Sequence, residues 1–239
     1  CSNFLYLTGY NEPDAVLLIY KNKKSSISHF FSKKPNDHDS IWTGDLLDSK
    51  DISKTYKFDR CDYLDSLDRK LIDYLKRTKS VYHSLVKNSF SANVFDACIL
   101  DIEKGYRKGV EIPSNLYSMK KIIHQLRLIK NEDEISLIRK ACDISANAHK
   151  KLMRICKANI SEKALESNLI YNFGLNNATE AYTSIVASGK NACILHYINN
   201  SSLLNNGDLL LTDAACEFQN YASDITRTIP INGKFTSNQ

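Results

Sequence analysis

Several features that mark other protein classes are missing from this chain of 239 residues. No apolar run approaches the roughly 18 residues needed to cross a bilayer, so we expect no membrane association. The seven cysteines are odd in number and have no C-x-x-C spacing. This argues against a disulfide framework or a zinc knuckle and indicates reduced thiols in the cytoplasm. No internal repeat, low-complexity segment or signal peptide is visible.

A concentrated patch of positive charge is also missing. The net charge of +5 is spread over isolated pairs such as Lys23-Lys24 and Lys120-Lys121, and no ladder of aromatic residues accompanies them. Solvated faces explain these pairs better than a nucleic-acid-binding stripe, so we expect no nucleic-acid partner. Hydrophobic residues at 43% and charged residues at 25% are ordinary for a soluble globular protein.

The pattern of apolar and breaker residues divides the chain into two parts. Residues 1–116 alternate apolar strands with helices, as in an α/β layer, and the breaker residues of segment 109–115 predict a linker. Residues 117–239 begin with helices, the second capped by Ser161, and continue with strands. The predicted strands cover residues 4–7, 14–20, 27–31, 80–85, 184–187, 209–216 and 222–230, and the predicted helices cover residues 62–77, 95–104, 131–149 and 161–173.

A pair of aspartates, Asp213 and Asp224, lies in the segment GDLLLTDAACEFQNYASDITRTIPINGKFT (207–236). Two strand-like runs flank a break near residues 218–220, so a hairpin folded about its midpoint makes the aspartates cross-strand neighbours on one face. Opposed carboxylates repel each other, and hard oxygen ligands of this kind suit Mn²⁺, Mg²⁺ or a pair of such ions. The alternative is that one aspartate faces solvent and the other caps a turn.

Four blocks of sequence, in order along the chain, resemble the aminopeptidase P family. These manganese-dependent Xaa-Pro aminopeptidases have the pita-bread metallopeptidase fold, and the resemblance is closest to the bacterial enzyme. It implies an α/β N-terminal domain of the creatinase and aminopeptidase P type over residues 1–116. The first half of an α+β pita-bread catalytic domain is implied over residues 117–239. The blocks are FLYLTGYNEPDAVLLI (4–19), HQLRLIKNEDEISLIRKACDISANAHKKLM (124–153), AYTSIVASGKNACILHYINN (181–200) and the aspartate segment (207–236).

The resemblance also implies an active site. Asp213 would bind one of two manganese ions and Asp224 would bridge both, with Co²⁺ or Zn²⁺ as alternative metals. The implied activity removes the residue that precedes proline at the N-terminus of a peptide, through a hydroxide bound by both manganese ions. His196 would lie beside the substrate, where it could bond the scissile carbonyl or pass a proton to the leaving proline nitrogen. From the residues alone, a half-buried structural histidine bonded to a backbone carbonyl is the alternative for His196.

Trp42, the only tryptophan, matches a family residue that packs on the substrate proline from a neighbouring subunit. An aromatic face is a natural surface for a proline ring, and the match implies a homo-oligomer for the full-length protein. The alternative is a tryptophan packed at the edge of the first domain. The following residues 45–48 depart from the family pattern, which usually has an arginine and a glycine there.

The remaining family ligands, a histidine and two glutamates, lie downstream of the point where this sequence stops at Gln239. The sequence also opens at Cys1, inside an apolar run. We therefore expect a chain truncated at both ends, which alone hydrolyses no Xaa-Pro peptide. One alternative is a non-catalytic remnant that acts as a binding or scaffold subunit. Another is a metal-free or creatine-hydrolysing relative of the fold, against which the retained aspartates argue.

Overall fold

The computed structural model describes residues 2–84, 89–105, 107 and 109–239. The chain splits into two compact units, Cys1–Leu128 (unit 1) and Ile129–Gln239 (unit 2). This division falls later than the predicted boundary after residue 116. The reason is that β5 (Asn115–Ser118) pairs in parallel with β4 (Ser80–His83), which ties the predicted linker and the residues after it to unit 1.

Unit 1 combines a small mixed sheet with helices. Strands β1 (Ala15–Lys21) and β2 (Ser26–Ser32) form an antiparallel pair, and β3 (Arg60–Tyr63) joins β2 in parallel. The strands predicted over residues 14–20 and 27–31 are therefore confirmed. The predicted strand 80–85 corresponds to β4, with Leu85 outside the described residues. The helices of unit 1 are α1 (Ser2–Thr8), α2 (Asp37–Thr43), α3 (Ser49–Tyr56), α4 (Leu67–Leu75), α5 (Phe90–Glu103) and α6 (Lys120–Leu128).

The strand predicted over residues 4–7 is wrong, because these residues lie in α1. A short apolar run fits a strand or a buried helix equally well in sequence, and tertiary contacts decide between them. Here the Phe4 ring lies 6.0 Å from the Phe30 ring, centroid to centroid, in a cluster that also contains Tyr10 and Ile52. Helical geometry places Phe4 on this cluster.

The helix predicted over residues 62–77 is wrong at its start. Residues 60–63 form β3 instead, because they pair in parallel with β2. This pairing places the Asp62 carboxylate 2.9 Å from Nε2 of the fully buried His29. Helix α4 begins only at Leu67. The predicted helix 95–104 corresponds to α5 up to Glu103. Helix α5 starts earlier, because the Ser89 side chain accepts a hydrogen bond from the Ala92 N–H.

Unit 2 places two helices against two small antiparallel sheets. Helix α7 (Glu132–Ile155) starts with a capping box between Asn131 and Glu134, and α8 (Glu162–Gly174) is capped by Ser161, so both predicted helices are confirmed. One sheet has the order β11-β8-β7 and the other β10-β9-β6. The strands are β6 (Thr179–Glu180), β7 (Ile185–Ser188), β8 (Leu209–Asp213), β9 (Cys216–Phe218), β10 (Tyr221–Ala222) and β11 (Thr226–Pro230).

The core of unit 2 lies between these helices and sheets. Leu152 of α7 and Leu169 of α8 are almost completely buried and belong to one cluster with Val186 of β7 and Leu210 of β8. Burying side chains of this size contributes about 1.5–3 kcal/mol each, so this cluster fixes the two helices on the sheets. Among the helices of the described ranges, none is both long and apolar enough to cross a bilayer.

Candidate metal centre

The aspartate segment folds as a hairpin divided between two sheets. The predicted strand 209–216 ends early, because β8 stops at Asp213 and β9 starts a new sheet at Cys216. The predicted break near residues 218–220 is confirmed. Gln219 and Asn220 both have positive φ, at 48° and 66°, between the paired residues Phe218 and Tyr221. Positive φ at both central residues is what a two-residue type I′ turn requires.

The position of this turn sets the register of the aspartates. Because the turn is centred between Gln219 and Asn220, Asp213 pairs with Thr226 of β11, and the prediction that Asp224 lies directly opposite Asp213 is wrong. The register differs from the predicted one by two residues, and side chains alternate faces with a period of two. Asp224 therefore keeps the same face as a diagonal neighbour of Asp213.

Tyr182 lies where the two carboxylates meet. Its hydroxyl oxygen is 2.7 Å from Oδ1 of Asp213 and 2.8 Å from Oδ1 of Asp224. Burial and these two acceptors raise the pKa of Tyr182 well above its usual value, so the hydroxyl stays protonated. Since it carries one proton, it can donate to only one ionised carboxylate at a time. The site therefore holds two negative charges and one donor between them.

This donor set fits a divalent cation. Carboxylate and hydroxyl oxygens are hard ligands of the kind that Mn²⁺ and Mg²⁺ prefer, and Asp224 is exposed while Asp213 is half-buried, so ions have access. No group of three or more His, Cys, Asp or Glu side chains assembles as a metal site within the described residues. Two carboxylates leave most coordination positions to water, so the affinity of this pair by itself is expected to be weak.

Helix α7 supports the backbone between the two aspartates. His149 is buried, and its Nε2–H donates to the carbonyl oxygen of Ala214 over 2.8 Å, while the Ala214 N–H donates to the Ile225 carbonyl over 3.1 Å. Burial lowers the pKa of His149, so the imidazole is neutral near pH 7. Neither His149 nor Tyr182 is marked by the aspartate motif in the sequence. The only signal for Tyr182 was its place in the block 181–200.

The other predicted site residues have different surroundings. His196 is exposed, in the segment that follows the 3₁₀ turn Gly189–Cys193. Hydrogen bonds to His196 are absent from the described part of the chain, so the alternative of a histidine held by a backbone carbonyl is not seen. Trp42 lies in unit 1 on α2 and is 79% exposed, unlike a tryptophan packed at a domain edge. The fold thus brings Asp213 and Asp224 together at Tyr182.

Comparison with known proteins gives matches to both units. Residues 136–239 match the model of metallopeptidase family M24, and residues 1–82 match that of the aminopeptidase P N-terminal domain. The Xaa-Pro aminopeptidase of Escherichia coli K12 is 34% identical over 240 residues, which cover 100% of this chain and 54% of that protein. The Haemophilus influenzae Xaa-Pro aminopeptidase is also 34% identical, over 53% of its own length.

Solved structures agree with the sequence matches. Proline aminopeptidase P II from Yersinia pestis superposes with a TM-score of 0.94 at 37% identity, covering 99% of this chain and 55% of that one. Zinc-substituted Escherichia coli aminopeptidase P in complex with product gives a TM-score of 0.96 at 34% identity, over 100% of this chain and 55% of that one.

The match over residues 136–239 gives the class of protein to which unit 2 is similar, metallopeptidase family M24. With its N-terminal domain, the chain belongs more particularly to the aminopeptidase P, or Xaa-Pro aminopeptidase, family. Its fold is accordingly an α/β N-terminal domain followed by part of an α+β pita-bread domain. The chain spans about half the length of the curated relatives that it matches.

Proposed function

We propose that the protein is a metalloaminopeptidase that releases an N-terminal residue preceding proline. The observation that carries this proposal is the convergence of the Asp213 and Asp224 carboxylates on the Tyr182 hydroxyl. Two anions with one donor between them are expected to bind a cation. Membership of the Xaa-Pro aminopeptidase family supplies the class of reaction, and proline-containing peptides are the proposed substrates.

Asp213 and Asp224 are the proposed metal ligands, and two Mn²⁺ ions are the proposed native metals, with Co²⁺ or Zn²⁺ as alternatives. Metal ions bound there would supply Lewis-acid polarisation of the peptide carbonyl and activation of water. The zinc-substituted relative supports a site that accepts more than one divalent ion. Tyr182 fixes the separation of the two carboxylates by sharing its hydroxyl between them.

His196 is the proposed catalytic residue beyond the ligands. Its exposed imidazole is free to hydrogen-bond the carbonyl of the bond to be cleaved or to transfer a proton to the leaving proline nitrogen. We propose Trp42 as the substrate-binding residue that packs on the proline ring across an interface between subunits. The exposure of Trp42 and of its neighbour Ile41, at 79% and 78%, supports a covered position in a homo-oligomer.

The proposed domains are the N-terminal aminopeptidase P domain over residues 1–116 and the metallopeptidase half-domain over residues 117–239, and the division into two compact units supports two domains. The proposed compartment is the cytoplasm. The cysteines of the described ranges are free thiols, as a reducing compartment maintains them.

Titration calorimetry with MnCl₂ tests the metal site. We expect wild-type protein to bind Mn²⁺ weakly, with a Kd on the order of 10⁻³ M. Asp224→Asn is expected to show no heat of Mn²⁺ binding. The matched control is Glu217→Gln, which removes a nearby carboxylate on β9 and is expected to bind Mn²⁺ as the wild type does. Equal binding by wild type and Asp224→Asn contradicts the proposed site.

A peptide assay tests the chemistry. We expect the 239-residue chain alone to hydrolyse no Xaa-Pro peptide with Mn²⁺ present, since the described residues assemble only two of the implied ligands. Turnover by a preparation free of host enzyme contradicts that expectation. A non-catalytic binding or scaffold role is the second candidate, favoured by the same two-ligand site. It predicts negligible metal in the protein purified from its own source, where a complete peptidase predicts about two ions.

A further inference from the structure

Helix α8 carries a carboxylate that is completely buried and fully hydrogen-bonded. Glu162, in its first turn, has 0% exposure. Oε1 accepts from the N–H and Oγ–H of Ser188, both at 2.7 Å, and from Nδ2 of Asn191 at 3.0 Å. Oε2 accepts from the Tyr197 hydroxyl at 2.7 Å and from the Ser202 N–H at 2.9 Å. All five donors lie between residues 188 and 202.

A second carboxylate, one helical turn later, holds the same segment. Glu166 accepts from Nδ2 of Asn200 at 3.0 Å. The amide of Asn200 also donates to the Ser184 carbonyl at 2.8 Å and accepts from the Val186 N–H at 2.9 Å. The segment 188–202 is therefore attached to α8 at its start, its middle and its end.

The charge on Glu162 needs an explanation beyond stability. Burial acts to raise the pKa of Glu162, but the hydrogen bonds from Asn191, Ser188 and Ser202 outweigh it, and the net pKa lies below the usual value. The carboxylate is thus ionised. An apolar residue of similar size often serves stability as well as a buried charge does, so a buried charge is better explained by the geometry that it imposes.

The geometry that it imposes is that of the segment carrying His196. Tyr197, the next residue, packs its ring with Ile185 and Leu211 on strands β7 and β8, while its hydroxyl is bonded to Glu162. Strand β8 ends at Asp213. The backbone of His196 is therefore fixed between α8 and the strand that carries a proposed metal ligand, although the imidazole itself is exposed.

We propose that Glu162 is a positioning residue, whose carboxylate fixes the backbone of segment 188–202 and thereby the place from which the His196 imidazole reaches the Asp213 and Asp224 carboxylates. The part played by His196 rests on the proposed function. The attachment of the segment to Glu162 is independent of it, because all five bonds lie within unit 2 and none involves a proposed ligand.

Nuclear magnetic resonance of the His196 ring in the 239-residue protein tests the proposal. The ring signal is assigned by its loss in His196→Gln, and Mn²⁺ is added as a paramagnetic probe. In wild type we expect one narrow ring signal whose relaxation is enhanced by Mn²⁺. In Glu162→Gln we expect several or shifted signals and an enhancement reduced by about twofold or more, since the effect falls with the sixth power of distance and a displacement of about 1 Å is enough.

The matched control is Glu132→Gln, which removes an exposed acid from the first turn of α7 without breaking a hydrogen bond recorded among the described residues. It is expected to leave the His196 signal and its enhancement unchanged. Tyr197→Phe provides a milder variant that keeps the ring packing and removes one of the five donors. If Glu162→Gln does not fold, Tyr197→Phe decides, with the same direction of change expected.

The outcomes separate this proposal from the proposed function. If Mn²⁺ enhances the relaxation of neither the Ala214 amide nor the His196 ring in wild type, the proposed metal site is rejected. The comparison of the metal-free His196 ring signal between wild type and Glu162→Gln then still tests whether Glu162 fixes the segment 188–202. If Ala214 responds and His196 does not, His196 is not held at the carboxylates and the proposal is overturned. It is also overturned if the variants lower the thermal midpoint while the His196 signal and enhancement stay as in wild type, since the role is then merely structural.

Discussion

Unit 2 contains two carboxylate sites that are built in opposite ways. Glu162 is fully buried and receives five hydrogen bonds, whereas Asp213 and Asp224 share a single hydroxyl. The first site has all the donors that its one charge needs, so its interactions are complete within the fold. The second has two charges and one proton, so it is completed by a cation from outside. The number of donors for each charge therefore separates the buried carboxylate from the proposed ligands in unit 2.

The largest effect is expected from Glu162→Ala. It leaves donors of Ser188, Tyr197 and Ser202 without the acceptor that they use and takes one of three acceptors from Nδ2 of Asn191, and should lower the free energy of unfolding of unit 2 by about 3–5 kcal/mol. Hydrogen exchange of unit 2 amides measures it. Glu132→Ala, the control in an exposed first turn, should change the stability by less than about 1 kcal/mol. A similar small change for both variants would place Glu162 among the ordinary surface acids.

A second effect depends on pH. The folded pKa of Glu162 lies below its unfolded value, so its charge contributes stability that is present above the unfolded pKa, about 4.3, and is lost as pH falls through the folded pKa. The stability difference between wild type and Glu162→Gln should therefore be largest above about pH 4.3 and shrink below it. Urea unfolding at several pH values between neutral and acid measures this difference. A difference that is constant with pH contradicts an ionised Glu162.

A smaller loss is expected from Tyr182→Phe. Removing the hydroxyl takes away the donor that Asp213 and Asp224 share among the described residues, and should cost about 1–2 kcal/mol without metal. In the background of Asp213→Asn the cost should be smaller, because the amide adds a donor and removes a charge. A double-mutant cycle measured by thermal unfolding compares the two. Equal costs in both backgrounds would mean that Tyr182 acts through ring packing alone.

The smallest effect has the opposite sign. Asp224→Asn should leave metal-free unit 2 unchanged or more stable by up to about 1 kcal/mol, because it relieves the repulsion from Asp213. Mn²⁺ should then raise the thermal midpoint of wild type but not that of the variant, since only a bound ion stabilises the folded state. Destabilisation of the metal-free protein by Asp224→Asn would show that the aspartate pair, like Glu162, is already complete within the fold.

Local chemistry made part of this fold predictable. The cap at Ser161 was visible because its side chain satisfies an N–H group of the helix that follows directly in sequence. The turn near residues 218–220 was also visible, although its exact centre was not. That error of register changed the partner of Asp213 to Thr226 and preserved the shared face, because the displacement equalled one period of the strand.

Long-range contacts made other parts unpredictable. Phe4 lies in a helix and residues 60–63 in a strand because of partners elsewhere in unit 1, around Phe30 and along β2. The split of the aspartate segment between two sheets depends on β6 and β7 as partners of β9 and β8. None of these partners can be identified from the periodicity of the segment itself.

The sequence by itself determined the family, the pair Asp213 and Asp224, and the helix cap at Ser161, because ordered motifs and local hydrogen bonds are written in neighbouring residues. Only the tertiary structure decided that Tyr182 joins the two carboxylates and that Glu162 is buried beneath the segment that carries His196. The hydrogen bonds of both arrangements join residues 26 to 42 positions apart in sequence. Such contacts depend on the packing of α8 and the register of β8, and the residues in between carry no local sign of them.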